Sequence, residues 1–474
     1  MKRKKWLIGI LCLLFLLIIL IEGLYHHFKS LPEGISFEGD VHTIDEVTFL
    51  SDLTYESEDG TQEVEQEIFE EIFKMIREAK EIIVIDMFLF NSYSDQEIDF
   101  PDWAGKLTET LIKQKEKIPN LQIVFITDPI NQGYYSYEDP HLQQLKENGI
   151  DVVITNLNKL KDSNKIYSSI WRVVGEPFGT SEKGWLPNPF AKEAPKFTLR
   201  SYMQLLNVKA NHRKVVITER QAVVTSANPH NESGYNANTA FQVSGPIITD
   251  MLKAEQAVID YSQGDIQLKI PSQTSVSSSN LSVQYVTERK ILNHTVGAID
   301  QTKAGDTIWL GMFYLANRGI IDALHQASAR DVTVNLILDP NKVAFGSQKI
   351  GLPNVPIAQE LNKDKGIDIR WYKTKDMQYH PKMMYIEKED EHVIIGGSAN
   401  FTTRNLDDLN LENDLIIKGS ASEPIMKDIH AYFQRLWNNE DGIFTEPYEN
   451  HINTFTPALK VTYWLQKLTG FTTY

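Results

Sequence analysis

The chain has 474 residues, with 47 Lys or Arg against 63 Asp or Glu and a formal charge of −16. That balance argues against nucleic acid as the main partner, since such binding draws on basic surface and counterion release. A single cysteine, Cys12, excludes an internal disulfide and a cysteine-based metal site, while 42% hydrophobic residues supply enough core for two large α/β halves.

Lys2-Arg3-Lys4-Lys5 precede an uncharged run from Trp6 to Ile21. As a helix, Trp6 to Tyr25 spans about 30 Å, enough to cross a bilayer core with aromatic residues near both boundaries. The segment after the run, Ile21-Glu22-Gly23-Leu24-Tyr25, has no small-x-small cleavage site, and Leu11 before Cys12 makes a poor lipidation site. Residues 1–30 therefore read as a single-pass anchor, with the basic end cytoplasmic and the remainder outside the cytoplasm of a bacterial-type cell.

Beyond a linker at 31–45, strand-like and helical patterns alternate. Val64 to Ala79 and Ile320 to Ala329 have helical spacing. The strand-like runs come twice in the same order. Ala79–Asn91 (AKEIIVIDMFLFN) corresponds to Ala304–Asn317 (AGDTIWLGMFYLAN), Leu121–Pro129 (LQIVFITDP) to Val332–Pro340 (VTVNLILDP), and Asn148–Val152 to Lys365–Ile369. This is an internal duplication. It predicts two similar α/β halves, each a sheet flanked by helices, at 46–263 and 283–440, packed face to face about a pseudo-twofold axis. A Ser-rich linker at 264–282 joins them, and a tail covers 441–474.

Each half carries one copy of a His-x-Lys-x4-Glu pattern, His212/Lys214/Glu219 and His380/Lys382/Glu387. In both copies the pattern enters an apolar strand, Val215–Ile217 or Met383–Ile386. A second strand follows, Gln221–Thr225 or His392–Ile395, and ends at Ser226-Ala227-Asn228 or Gly397-Ser398-Ala399-Asn400. Each Ser-x-Asn is expected within reach of the neighbouring His-x-Lys, and the two halves are expected to share one site.

These residues resemble the phospholipase D superfamily, whose members carry His-x-Lys-x4-Asp followed by Gly-Ser-x-Asn twice in one chain. The resemblance covers about residues 45–440 and is closest in kind to bacterial phospholipase D-like and cardiolipin synthase-like proteins. Two positions depart from the pattern: Glu219 and Glu387 replace Asp, and Thr225 stands where a glycine precedes the first serine. In the family the acidic position serves the scaffold, a role Glu keeps.

Phosphodiester cleavage needs a nucleophile, an acid for the leaving alkoxide and donors around the phosphoryl oxygens. One imidazole can attack phosphorus to give a phosphohistidine, while the other moves protons. Lys214 and Lys382 would hold phosphate oxygens as point charges, Asn228 and Asn400 would donate neutral hydrogen bonds, and Ser226 and Ser398 would bind substrate in support. This chemistry calls for no cofactor and no metal. Aligning Asn236–Gly245 (NANTAFQVSG) with Asn410–Gly419 (NLENDLIIKG) sets Glu412 opposite Asn238. By resemblance a residue at the Glu412 position orients a catalytic imidazole. His212 is assigned the attack, and His380, partnered by Glu412, the proton transfer.

Residues 158–211, by which the first half exceeds the second, hold nine Lys or Arg against four Asp or Glu, interleaved with Tyr167, Trp171, Phe178, Trp185, Phe190, Phe197 and Tyr202. Such a flap can sit on anionic headgroups, although a packed loop with core aromatics fits the same composition. Pro457–Phe471 has apolar residues at near-helical spacing and reads as an interfacial or docked helix. His230 and His294 lack ligand-like neighbours and are taken as ordinary histidines.

The leading expectation is a membrane-anchored enzyme that cleaves a phospholipid phosphodiester and passes the phosphatidyl group to water or an alcohol, with no partner chain needed to complete the site. Cardiolipin synthesis is its near variant. An extracytoplasmic nuclease, weakened by the acidic charge, and a non-catalytic lipid-binding protein are the alternatives.

Overall fold

The computed structural model describes residues 2–452 except 95–97, 178–182, 263, 273–279, 345–346, 349 and 375–376, together with residue 461. Most of the Ser-rich linker, Phe178 and, apart from residue 461, the Pro457–Phe471 segment lie outside the described residues.

Strand β1 (His42–Thr43) precedes the first half, which contains β2 (Thr48–Glu56), β3 (Gln62–Glu65), β4 (Ile82–Met87), β5 (Gln122–Thr127), β6 (Asp151–Ile154), β7 (Lys214–Thr218), β8 (Gln221–Thr225) and β9 (Asn238–Ser244). The second contains β10 (Ser282–Thr287), β11 (Thr307–Met312), β12 (Thr333–Leu338), a hairpin of β13 (Val343–Ala344) and β14 (Ser347–Gln348), β15 (Ile367–Tyr372), β16 (Lys382–Glu387), β17 (His392–Gly397), β18 (Asn413–Gly419) and β19 (Thr445–Pro447). One sheet has the order β3-β2-β9-β8-β7-β4-β5-β6 and the other β1-β10-β18-β17-β16-β11-β12-β15-β19. Seven successive positions correspond, from β2/β10 to β6/β15. In each sheet three neighbouring strands run parallel and the rest antiparallel. The expected mixed, duplicated α/β architecture is observed.

Burial explains the strand sequences. β4 (IIVIDM) is buried at every position, as a central strand covered on both faces must be. Helices α2 (Ile68–Glu78), α3 (Trp103–Lys117) and α4 (Pro140–Glu147) belong to the outer layer of the first half. Next come α5 (Lys165–Val174), α6 (Leu199–Leu205), α7 (Ile247–Ser262), α8 (Arg289–Asp300) and α9 (Arg318–Ala329). Outer cores lie under α2 and α3 in one half and under α8 and α9 in the other. A third core joins the halves, mixing Phe241 and Met251 with Tyr285, Tyr379, Met383 and Phe433.

Three boundaries differ from expectation. Val64 belongs to β3 rather than to a helix, because Asp52 Oδ1 accepts the N–H groups of Glu67 (2.8 Å) and Ile68 (3.1 Å) and fixes the start of α2 there. His42–Thr43, placed in a linker by the sequence, pairs with β10 of the second half. Thr445–Pro447, placed in the tail, forms the opposite edge of that sheet against β15. Strands of two or three residues are too short to show a period.

The insertion at 158–211 is mostly folded inward. Trp171 and Phe197 are buried, and Phe190 and Tyr202 pack against the shared core. Among the described aromatics of the insertion, Trp185 alone is well exposed. Ahead of both halves, α1 (Lys2–Phe28) is a continuous helix whose Arg3–Phe28 portion is long and apolar enough to cross a membrane.

Candidate active site

The site forms where the sheets meet, at the ends of the β7/β8/β9 and β16/β17/β18 strands. Two short parallel bridges cross the interface, Asn211 with Leu411 and Ala237 with Tyr379. His212 N–H donates to Leu411 O (2.9 Å) and His380 N–H to Ala237 O (2.8 Å). Each histidine is therefore locked beside the strand entrance of the opposite half. The next residues there are Glu412 and Asn238.

Glu412 accordingly partners His212 and not His380, which corrects the sequence assignment. His212 Nδ1 lies 2.9 Å from Glu412 Oε1 and 3.0 Å from Oε2. His380 Nδ1 instead lies 3.1 Å from Asn238 Oδ1. The orienting groups are exchanged between the halves because the bridges run across the interface.

The serines are also reassigned. Ser398 Oγ donates to Glu412 and accepts the Asn413 N–H, and Ser226 Oγ donates to Asn238 Oδ1 and accepts the Thr239 N–H. Both are fully buried. Their hydroxyls hold the partner of the opposite histidine, so they position the imidazoles instead of touching substrate. Thr225, the departure from glycine, uses its Oγ1 to accept the Ala227 N–H (3.0 Å), a task that Asp414 performs for Ala399 (3.1 Å) in the second copy.

Lys214 and Lys382 are buried, and each ammonium donates to the carbonyl of its own histidine, at 2.9 Å and 2.6 Å. Asn228 Oδ1 accepts the Leu89 N–H (3.3 Å), which leaves its amide nitrogen as the group able to donate. Asn400 Oδ1 is buried without a hydrogen-bond partner. Glu219 and Glu387 sit away from this cluster, as scaffold groups. Glu219 accepts the Lys80 and Glu81 N–H groups, and Glu387 accepts from Trp309 Nε1 and pairs with His430.

Burial governs the charge states. It drives Lys214 down to about 7 and Lys382 well below the ordinary lysine range, the second also through repulsion from Lys214. Burial first, then the two ammonium groups, hold His212 and His380 well below the usual imidazole value. Glu412 is pushed up to about 8 by burial, against the pull of Lys214. The site thus keeps several cationic groups desolvated and close to neutral, and an entering anion would draw protons onto them.

Several contributors escaped the sequence reading. Phe88 and Phe313 occupy equivalent places after β4 and β11. Their rings lie 4.8 Å from the His212 ring and 5.0 Å from the His380 ring, and 5.3 Å from the Lys214 and Lys382 ammonium groups. Asp128 and Asp339, from the duplicated Asp-Pro, accept the N–H of Asn211 and of Tyr379 (2.7 Å each), just ahead of each histidine. Arg213 is fully buried, with Nη1 3.1 Å from Glu255 and Nη2 2.9 Å from Glu288, and Glu288 in turn accepts the Glu412 N–H. His230, read as ordinary, hydrogen-bonds Ser233 and lines a small recess of mixed polarity with Leu89, Asn91, Ile130, Asn188, Phe190 and Glu232. His294 is an ordinary surface histidine paired with Glu38. Among the described residues, no group of three or more His, Cys, Asp or Glu is placed to hold a metal ion.

The family described as cardiolipin synthase, PLD-like domain, matches residues 296–437. No curated protein matches the sequence. Among solved structures, the chain is similar to phosphatidylserine synthase of Haemophilus influenzae Rd KW20, with a TM-score of 0.58 at 11% identity over 92% of this chain and 96% of that one. It also aligns with polyphosphate kinase from Porphyromonas gingivalis (TM-score 0.44, 10% identity, 90% of this chain and 54% of that one). A third alignment is with the phospholipase D family member Nuc from Salmonella typhimurium (TM-score 0.27, 21% identity, 35% of this chain and 97% of that one). With the duplicated His-x-Lys and Ser-x-Asn sets gathered at one interface, the second half matches the family of cardiolipin synthase, PLD-like domains over residues 296–437, and the chain as a whole shares the fold of the phosphatidylserine synthase structure.

Proposed function

We propose that the chain is a membrane-anchored phosphatidyltransferase or phospholipase D-type phosphodiesterase that works through a covalent phosphohistidine. The observation that carries this reading is the exchange of partners between the halves, which gives the two imidazoles different chemistry. His212 Nδ1–H donates to the Glu412 carboxylate and leaves Nε2 with its lone pair. Attack of Nε2 on phosphorus forms the P–N bond and breaks the P–O bond to the headgroup alkoxide. The positive charge that appears on the ring is balanced by Glu412. His380 Nδ1–H donates to the neutral Asn238 amide, so its Nε2 is free to gain and lose a proton. It gives that proton to the leaving alkoxide. It then takes one from water or an alcohol as that oxygen attacks phosphorus and the P–N bond breaks. Lys214, Lys382, Asn228 and Asn400 hold the phosphoryl oxygens.

The net charge of −16 supports a lipid over a nucleic acid substrate, because nucleic acids bind largely through basic surface. The α1 helix supports a membrane location, read here as single-pass with the basic end cytoplasmic. The family match over 296–437 favours an alcohol acceptor, including another phospholipid's glycerol, as the main use of the intermediate.

The test is the full chain in vesicles holding labelled phosphatidylglycerol, phosphatidylethanolamine or phosphatidylcholine, with and without added glycerol, beside His212→Ala and His380→Ala. Phosphatidic acid or a transfer product that disappears in both variants is the expected result. No turnover of any lipid, with cleavage of single-stranded DNA, would replace this reading by a nuclease.

A further inference from the structure

The insertion helix α5 carries an apolar stripe on its outer face. Ile166, Ile170 and Val174, spaced i, i+4 and i+8, are 75%, 42% and 43% exposed, whereas Ser168, Ser169 and Trp171 on its other side are buried. Three large aliphatic side chains in register on a water-facing helix are costly unless something apolar covers them.

What lies beside α5 indicates the cover. The last part of α1 packs along it. Ile19, Glu22, Gly23 and His26 form the only partly buried positions on α1 between Arg3 and Phe28, and their spacing marks one face. Gly23 allows that approach, since a Cβ there would meet Ser169 Oγ at 2.8 Å. Glu22 lies 3.6 Å from Arg172, and Lys29 donates to Asn158 O at 3.2 Å. Contact thus begins at Ile19, inside the apolar part of α1, and ends among charged groups at its base. A bilayer that takes in α1 to that depth reaches α5 as well. The stripe is then continuous with the apolar surface of the anchor.

We propose that α5 is a second membrane element, lying in the interfacial layer beside the anchor with Ile166, Ile170 and Val174 among the acyl chains. Lys165, exposed at the start of the helix, falls at headgroup level. In sequence, the stretch from Gly175 to Asn211 leads from this helix to His212. The inference rests on α1 being a membrane anchor, and the test separates the two.

Cys12, the sole cysteine and exposed on α1, reports the anchor in the unmodified chain. In a Cys12→Ser background, Ile166→Cys, Ile170→Cys and Val174→Cys report α5, and Lys363→Cys on the second half is the water-side control. Each full-length protein is labelled with an environment-sensitive fluorophore and reconstituted in vesicles of phosphatidylglycerol and phosphatidylethanolamine. Quenchers are placed shallow or deep on the acyl chains, or in the water as iodide. The expected result is quenching of all three α5 positions by the shallow lipid quencher, with iodide access several-fold below that of position 363, and quenching of Cys12 by the deep one. Cys12 in lipid with α5 reached freely by iodide overturns the α5 proposal and leaves the anchor standing. Alpha5 positions shielded from both iodide and lipid quenchers would mean a protein cover, a second copy or another segment of this chain, and also overturn it. Failure of Cys12 to meet lipid removes the anchor itself.

Discussion

His212 and Glu412 are 200 residues apart, yet they share a buried contact of 2.9 to 3.0 Å, while His380 meets the amide of Asn238. The two imidazoles are equivalent by sequence motif and inequivalent by partner. A carboxylate on one ring favours the form that carries positive charge during bonding to phosphorus. An amide on the other fixes the tautomer without holding the proton. The proposed division of labour between nucleophile and proton carrier rests on that difference.

Glu412→Gln tests the first half of the argument. Gln preserves shape and the hydrogen bond to Nδ1 but cannot supply the negative charge that would offset the proposed phosphohistidine. Turnover is expected to fall by roughly 10²-fold or more. Rapid-quench measurement of phosphoenzyme formation checks the step directly. Unaltered formation in this variant would remove Glu412 from the mechanism.

Asn238→Asp tests the second half. A carboxylate beside His380 Nδ1 favours the imidazolium and raises its pKa. The acid that protonates the leaving group then stays protonated to higher pH, so the alkaline limb of kcat/KM moves upward. A pH–rate profile of the variant against the parent decides it. A limb that stays in place would assign the proton transfer to another group.

Much of the site was legible because it is written twice. Both His-x-Lys copies, both Ser-x-Asn turns and the aligned strands appear as local patterns, and the structure sets them on matching strands. The pairing of Glu412 with His212 was not legible, since it depends on which strand entrance faces which histidine across the interface. Phe88, Phe313, Asp128 and Asp339 were visible as repeats, but a stacked ring or a pinned N–H needs the loop to fold back before its role exists. Ser226 and Ser398 looked like phosphate ligands by position, and burial turned them inward.

Anion binding should take up protons. Lys214 is lowered to about 7, and Lys382, His212 and His380 lie below their ordinary ranges, so above neutral pH these four groups are largely deprotonated in the free site. An anion favours the protonated forms and raises those values. Affinity therefore falls as pH rises from about 7, and binding is accompanied by net proton uptake. Calorimetry with sulfate, whose charge does not change over this range, in buffers of different ionisation enthalpy measures the uptake. Binding without proton exchange would mean that the ammonium groups are already charged in the free protein.

Arg213, between His212 and Lys214, holds the two halves together electrostatically. Its guanidinium is fully buried against Glu255 and Glu288, and Glu288 accepts the Glu412 N–H. Arg213→Met leaves two buried carboxylates without their cation, at an expected cost of about 3–5 kcal/mol. Burial already raises Glu288, and loss of the cation raises its folded-state value further. A group raised on folding contributes its stability below its unfolded value and loses it as pH climbs through the folded one. The variant should therefore lose most at neutral pH and recover in acid, as thermal unfolding at both conditions would report. Adding Glu255→Gln and Glu288→Gln to Arg213→Met removes the buried charges together and should restore most of the loss. If the triple variant is no more stable than Arg213→Met, the guanidinium acts through packing instead of charge.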